Sequence, residues 1–435
     1  MQKIKSTIIY SAYFVAAITL PSMISIVPGI SIFTAFAEEV KTKKVPALRN
    51  KVYAQLARAQ KLADDGKVAD GLAALDDIKR KSGSMNDYEV AMMHNFYGFI
   101  YYNQNDLPKA INAFELVVEQ NNIPESLKLS TLFSLAQLAM AQNQYSEVVN
   151  YLTRWDEINI KPKTDSYYVL KSQALYQDKQ FQMSLDNISL AIDLAETDNK
   201  IPKENWLVLQ RALFYALNQT DKVTIVLEKM VKLYNKPKYW LQLGNMYGEL
   251  GEEAKQLAIF ESAKQQGFIT KKSDIRNMAQ VYLFNGLAFK AAQMMQNGLD
   301  TGVVDSNDKN FAFVAESFMQ AKEDEQAILF FKKASKISKI GKYDQRLAEL
   351  YLNNELFEEA ADSARLALDK GLAEGESNSY IALGMAQYNL ENFDASILAF
   401  EQAKEHIKAR KLASQWLKFV KREQLNAQTL KTAYL

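Results

Sequence analysis

Between Tyr239 and Gly267 the apolar and small residues fall three and four positions apart: Trp240, Leu243, Gly244 and Tyr247, then, beyond Gly251, Phe260 and Ala263. That spacing lines one face of a helix, so the stretch predicts two helices joined by a turn at Gly251. The arrangement recurs with a period of roughly 36 residues, almost without interruption from Leu48 to about Ala409. Its clearest copies run from Asn95 to Val118, Leu132 to Trp155, Tyr168 to Ala191, Trp206 to Met230, Trp240 to Ala263, Ile275 to Gly298, Phe311 to Ala334, Leu347 to Ala367 and Tyr380 to Ala403, with a weaker one from Val52 to Ile78. About ten pairs are predicted, well above the roughly three that stacked units need to bury one another's apolar faces.

Small residues belong where two helix backbones approach, and large ones fill the gaps between turns. Gly98, Gly244 and Gly384 share one first-helix position, where Ala136, Ala279, Ala315 and Ala348 substitute. On the second helix Ala110, Ala291, Ala327 and Ala360 take the close-contact position, followed one helical turn later by Phe114, Met295, Phe331 and Ala364. Gln256 and Ser396 replace that alanine in two units, and Lys171-Ser172 replaces the Leu-Gly pair in another.

Pro124, Pro162, Pro202 and Pro237 fall between successive pairs, where the chain leaves one helix and starts another. Pro108, after Asp106, suits the first turn of a helix. Residues 38–47 read as a polar linker. Arg410 to about Glu423 predicts one more helix, with Leu412, Trp416, Phe419 and Val420 on its apolar stripe, placed to cap the last pair. The residues after Gln424 are expected to fray.

No charged residue occurs from Ser6 to Ala37. Lys3 and Lys5 form a basic flank, Ile8 to Leu20 an apolar run and Ala35-Phe36-Ala37 a small-x-small site. Together they predict a signal peptide over residues 1–37, removed on export to the periplasm. The alternative is an uncleaved inner-membrane anchor, since the run is long enough to span. Pro21, Pro28 and Gly29 would break a continuous helix and favour cleavage. Both readings put the repeats on the periplasmic side.

The pattern Trp240, Leu243, Gly244, Tyr247, then Phe260 and Ala263 resembles the tetratricopeptide repeat, and the resemblance covers nearly the whole chain after residue 47. It implies an all-α fold: a right-handed α-solenoid of about ten tetratricopeptide-like helix pairs over residues 48–409, with a C-terminal capping helix and tail over 410–435. It also implies a non-catalytic platform for docking peptides and proteins. The first helices of such an array line its concave surface, so their residues not spent on repeat packing face a partner. In the second to fourth units these are Asn95, Phe99, Tyr102, Asn103, Gln137, Gln173, Tyr176 and Gln177, a set of amides and aromatic rings able to hydrogen-bond and stack on an extended peptide. Asn245 continues the set. Glu249, Arg276, Gln280, Glu316, Gln320, Glu349, Asn353 and Asn389 make the later units more charged.

Composition narrows the chemistry. The 435 residues are 48% hydrophobic and 24% charged, as expected of a chain with an extensive core, and cysteine is absent. Disulfides, thiolate metal sites and a cysteine nucleophile are therefore excluded. The formal charge of +1 becomes −1 without residues 1–37, which gives no reason to expect nucleic acid as a partner. His94 and His406, the two histidines, lack a second ligand at metal-binding spacing. His94 takes the position of Trp240 and reads as a packed structural residue. Asp64-Asp65, Asp76-Asp77, Glu252-Glu253 and Glu358-Glu359 read as acids at turns and helix starts, where unpaired amides favour them. No phosphate loop, nucleophile elbow or dinucleotide fingerprint is present, so neither an enzyme nor a bound cofactor is expected. The basic run containing Lys404, Lys408, Arg410, Lys411, Lys418, Lys421 and Arg422 is a secondary candidate surface for an acidic partner or anionic lipid.

At a finer level, the exported start, the segment from Asn95 to Asn103 and the segment from Tyr239 to Tyr247 resemble a periplasmic tetratricopeptide family found with TonB-type energy-transduction systems of gammaproteobacteria. That resemblance implies an accessory part in energised outer-membrane uptake of iron chelates or haem. The partners it implies are extended segments of envelope proteins, such as TonB-type or associated inner-membrane components. A scaffold for outer-membrane assembly or polysaccharide export is the alternative. A cell-wall glycan-binding or hydrolytic protein is disfavoured, because no carboxylate pair is placed as glycoside hydrolysis requires.

Overall fold

The computed structural model describes residues 46–433, and the signal peptide expected over residues 1–37 lies outside them. Among the described residues there are twenty-one α-helices, one short 3₁₀ turn at Ser82–Ser84 and no strand. The chain is an all-α solenoid of helix pairs. Its contacts divide it into two compact units, residues 1–219 and 220–435.

The first unit holds α1 (Asn50–Asp64), α2 (Val68–Lys79), α3 (Asp87–Asn103), α4 (Leu107–Val118), α5 (Glu125–Ala141), α6 (Tyr145–Asp156), α7 (Asp165–Gln177), α8 (Phe181–Thr197) and α9 (Glu204–Ala216). Each packs against the next in chain order, and α1 also meets α3. Asn86 starts α3 with a capping box, accepting from the Glu89 amide at 3.0 Å, while the Glu89 carboxylate accepts from the Asn86 amide at 3.2 Å. Buried Glu89 also takes Arg49 Nε at 2.6 Å, so its carboxyl is held below the usual range, first by that hydrogen bond. Asp106 caps α4 with Pro108 in the first turn, as expected.

The second unit holds α10 (Thr220–Tyr234), α11 (Pro237–Glu249), α12 (Glu253–Gln265), α13 (Lys272–Phe284), α14 (Ala288–Asp300), α15 (Asp308–Gln320), α16 (Asp324–Ile337), α17 (Lys342–Asn353), α18 (Phe357–Lys370), α19 (Glu376–Asn389), α20 (Phe393–Glu405) and α21 (Arg410–Ala433). They again stack in chain order. One apolar core runs from Phe260 through Tyr282, Met295, Phe318 and Phe331 to Tyr351. A second, around Phe400, Leu417 and Val420, seats α21. That helix continues to Ala433, beyond the end expected near Glu423. Its last turns contain no Pro or Gly, and Gln424 Nε2 donates to Asp394 Oδ1 at 2.7 Å.

A single left-handed residue closes the turn inside each pair that lies within one unit. It is Gly66, Asn105, Asn143 and Lys179 in the first unit, and Gly251, Gly286, Lys322, Glu355 and Glu391 in the second. The following amide then reaches back to the end of the first helix, as from Asp106 to the Tyr101 carbonyl (2.9 Å) and from Glu252 to that of Tyr247 (2.8 Å).

The small first-helix positions behave as their sequence predicts. A Cβ on Gly98 would lie 2.5 Å from the Phe114 ring, on Gly244 2.6 Å from Phe260, and on Gly384 2.7 Å from Phe400. Departures from the repeat pattern come with their own compensation. Ser172 and Ser184 exchange hydrogen bonds to each other's carbonyls at 2.8 Å, and Ser396 donates to the Gly384 carbonyl at 2.7 Å. Gln256 fits because Gly248 faces it: a Cβ there would lie 2.2 Å from Gln256 Nε2.

Successive pairs are joined by phenol–carboxylate hydrogen bonds. Tyr97, Tyr167, Tyr247 and Tyr282, each on a first helix, donate to Asp76, Asp156, Glu228 and Glu261 on the second helix of the preceding pair. Burial, then the carboxylate, raises each phenol above its ordinary range. This corrects the expectation for Asp76-Asp77: they lie in the last turn of α2, where the helix dipole disfavours acids, and Asp76 is used to receive Tyr97.

Candidate protein-docking face

The first helices carry the candidate residues at a fixed register. Phe99, Gln137 and Gln173 each follow the small packing residue of their helix, and Tyr102, Met140 and Tyr176 stand one turn further on. In the first unit this sets amides beside half-buried apolar and phenolic side chains. Asn95 and Tyr102 are partly exposed, and Asn103 and Gln177 are exposed at the helix ends. Phe99 leaves 43% of its surface open and sets its ring edge-on to Phe114, with centroids 5.4 Å apart.

Three of these residues converge. Gln173, Tyr176 and Gln177 of α7, with Val169, form one wall of a notch whose other wall is Asn205, Trp206, Val208 and Leu209 of α9; Ile188 of α8 completes the lining. The enclosed volume is about 20 Å³, enough for one methyl-sized group or a water. Amides stand at its rim and apolar groups line it. Among the described residues, the side chains of Gln173 and Gln177 have no hydrogen-bond partner, so their amide groups remain available to a ligand backbone. The Tyr176 ring rests 5.7 Å from Phe181, which fixes its plane.

The other candidates are not part of the notch. Asn95, Phe99, Tyr102 and Asn103 lie on α3, and Gln137 on α5. Asn245 belongs to the second unit, where its Oδ1 accepts from Asn277 Nδ2 at 2.9 Å, joining α11 to α13. Farther along that unit the same register carries Glu316 and Glu349, the latter paired with Arg346 at 2.9 Å. Sequence reasoning missed the α9 wall. Trp206 opens the repeat copy that runs to Met230, and that spacing marks it as a first-helix residue.

Lys411, Lys418, Lys421 and Arg422 are exposed on α21. Lys421 reaches Glu401 and Arg422 reaches Glu423, each at 3.3 Å. His94 is buried against Tyr97, and burial, followed by the Lys79 charge, lowers it from the ordinary 6.5 to about 4. It is a neutral packing residue at physiological pH. Among the described residues no group of three or more acids or histidines could hold a metal ion, and no helix is long and apolar enough to cross a membrane.

A family model of the tetratricopeptide repeat matches residues 377–405, which span α19 and α20 with Gly384 and Phe400. No curated protein matches the chain. Among solved structures it is similar to YrrB, a tetratricopeptide protein with an unusual peptide-binding site, at 14% identity over 44% of this chain and 97% of that one, with a TM-score of 0.37. The C-terminal part of a tetratricopeptide-repeat protein from Cytophaga hutchinsonii is 12% identical over 58% and 99%, with a TM-score of 0.40. A tetratricopeptide repeat protein from Parabacteroides merdae is 13% identical over 73% and 100%, with a TM-score of 0.34.

Proposed function

We propose that the chain is a protein-interaction scaffold that holds an extended segment of a partner across its first helices. The observation that carries this is the α7–α9 notch, where uncommitted amides flank an apolar cavity. An extended peptide offers backbone donors and acceptors to the former and a small aliphatic side chain to the latter. In the finer reading the scaffold works in the periplasm as an accessory of a TonB-type system, and its partner is an envelope protein. Support for that comes from the charge-free start at Ser6 to Ala37 and the two resembling segments.

A cross-linking pull-down from envelope fractions, using full-length protein beside a Tyr102→Ala, Gln173→Ala, Tyr176→Ala variant, tests both levels. The wild type is expected to recover TonB-type or proton-channel components and the variant to lose them. Recovery of assembly or polysaccharide-export proteins would replace the TonB-type assignment. Equal recovery by both forms would move the docking surface elsewhere.

A further inference from the structure

A different surface stands out by its charge. From Lys404 to Arg422 the chain has seven basic residues and one acid, Glu405, although its overall formal charge is only +1. The last helix sorts them by face. Ala413, Leu417 and Val420 turn inward, and Trp416 stacks on Phe400 with ring centroids 5.4 Å apart. On the opposite meridian Lys411, Lys418 and Arg422 follow one another at helical spacing, and Leu425, 62% exposed, continues the line. Lys411 and Lys418 have no carboxylate partner among the described residues. Beside this line Ile407, 83% exposed in the turn before α21, and Leu412 add aliphatic surface.

The shape and the sign of charge select the partner. The basic line is the outer ridge of a helix, where a peptide would find no groove. The nearby cleft opens along Phe393 and Gln424 on the flank of α21 and carries Glu391 and Asp394, so its charge is of the opposite sign. A ridge of cations with aliphatic groups alongside is suited to a broad anionic plane, in which ammonium and guanidinium groups meet phosphates while the aliphatic groups enter the interface.

We propose that the outward face of α21, with Ile407, docks on an anionic phospholipid surface. This goes beyond the scaffold role and rests on none of its residues. The test is co-sedimentation of the full-length chain with phosphatidylcholine vesicles and with mixed phosphatidylcholine–phosphatidylglycerol vesicles. Binding to the anionic vesicles should be stronger by about tenfold or more and should fall with added salt. The preference should vanish in a Lys411→Glu, Lys418→Glu, Arg422→Glu variant, and in the matching Gln variant, which keeps helix propensity should the first fail to fold. Equal binding to both vesicle types, as insertion of residues 6–37 would give, overturns the proposal, as does a preference that survives neutralisation. An acidic protein retained by the wild type and lost by the variants, with no vesicle binding, would make the ridge a protein interface instead.

Discussion

The repeat is enforced at a few residues where helix backbones come closest. Gly244 has a Phe260 ring carbon 2.6 Å from where its Cβ would be. Gly244→Ala gains about 1 kcal/mol of helix propensity but must displace the ring, an overpacking cost of roughly 1–3 kcal/mol. A net loss of about 1 kcal/mol is expected, read as faster hydrogen exchange confined to α11 and α12. Ala315 and Phe331 coexist at the equivalent position, so the cost belongs to the placement of Phe260. His94 gives a second test. Lowered from 6.5 to about 4, it stays neutral in the folded chain while the unfolded chain takes up a proton. Stability is therefore complete above pH 6.5 and declines as pH falls toward 4, by up to about 3 kcal/mol. In His94→Phe that part of the decline should be absent from urea midpoints measured across the window.

The small positions, the structural histidine and the degenerate units were legible in the sequence, because each follows from spacing on one face. How the degenerate units are repaired was not. Ser172 meets Ser184 and Gln256 meets Gly248 across a turn, and periodicity says which positions face each other without saying which polar atoms meet.

At the scale of elements, the pair is defined by its turn. Lys179 and Glu391 occupy left-handed conformations at φ 61°, which cost a residue bearing a Cβ roughly 1 kcal/mol. Lys179→Gly and Glu391→Gly should each raise the thermal midpoint, by an amount equivalent to about 0.5–1 kcal/mol. No change or a loss would mean that the side chains have contacts that outweigh the strain. The Gly251 turn was read beforehand, whereas the Lys179 and Glu391 turns were not, because lysine and glutamate give no turn signal. Polar ties between helices were equally hidden, since their partners are far apart in sequence. Lys370 Nζ lies 2.9 Å from Asp344 Oδ2 and 2.8 Å from the Ser335 carbonyl, and Asp344 is 1% exposed. Lys370→Met would leave that carboxylate buried and uncompensated, at a cost of about 3–5 kcal/mol. Lys370→Met with Asp344→Leu should recover much of it, as followed by denaturant unfolding.

At the largest scale, the all-α solenoid of helix pairs with a final helix was readable from the sequence, because repeated burial leaves a repeated pattern. The notch on the candidate docking face was readable only in part. Gln173, Tyr176 and Gln177 stood out as amides and a phenol on a first helix, whereas the α9 wall needed the packing of two pairs against each other. The most direct test of the scaffold account is site-specific photo-cross-linking in the intact envelope. A photoreactive residue would replace Gln173 in the notch or, separately, Met183, which is 49% exposed on the second helix α8. The account predicts a discrete adduct with an envelope protein from position 173 and none from 183. Adducts from both positions alike, or from 183 alone, would contradict docking across the first helices.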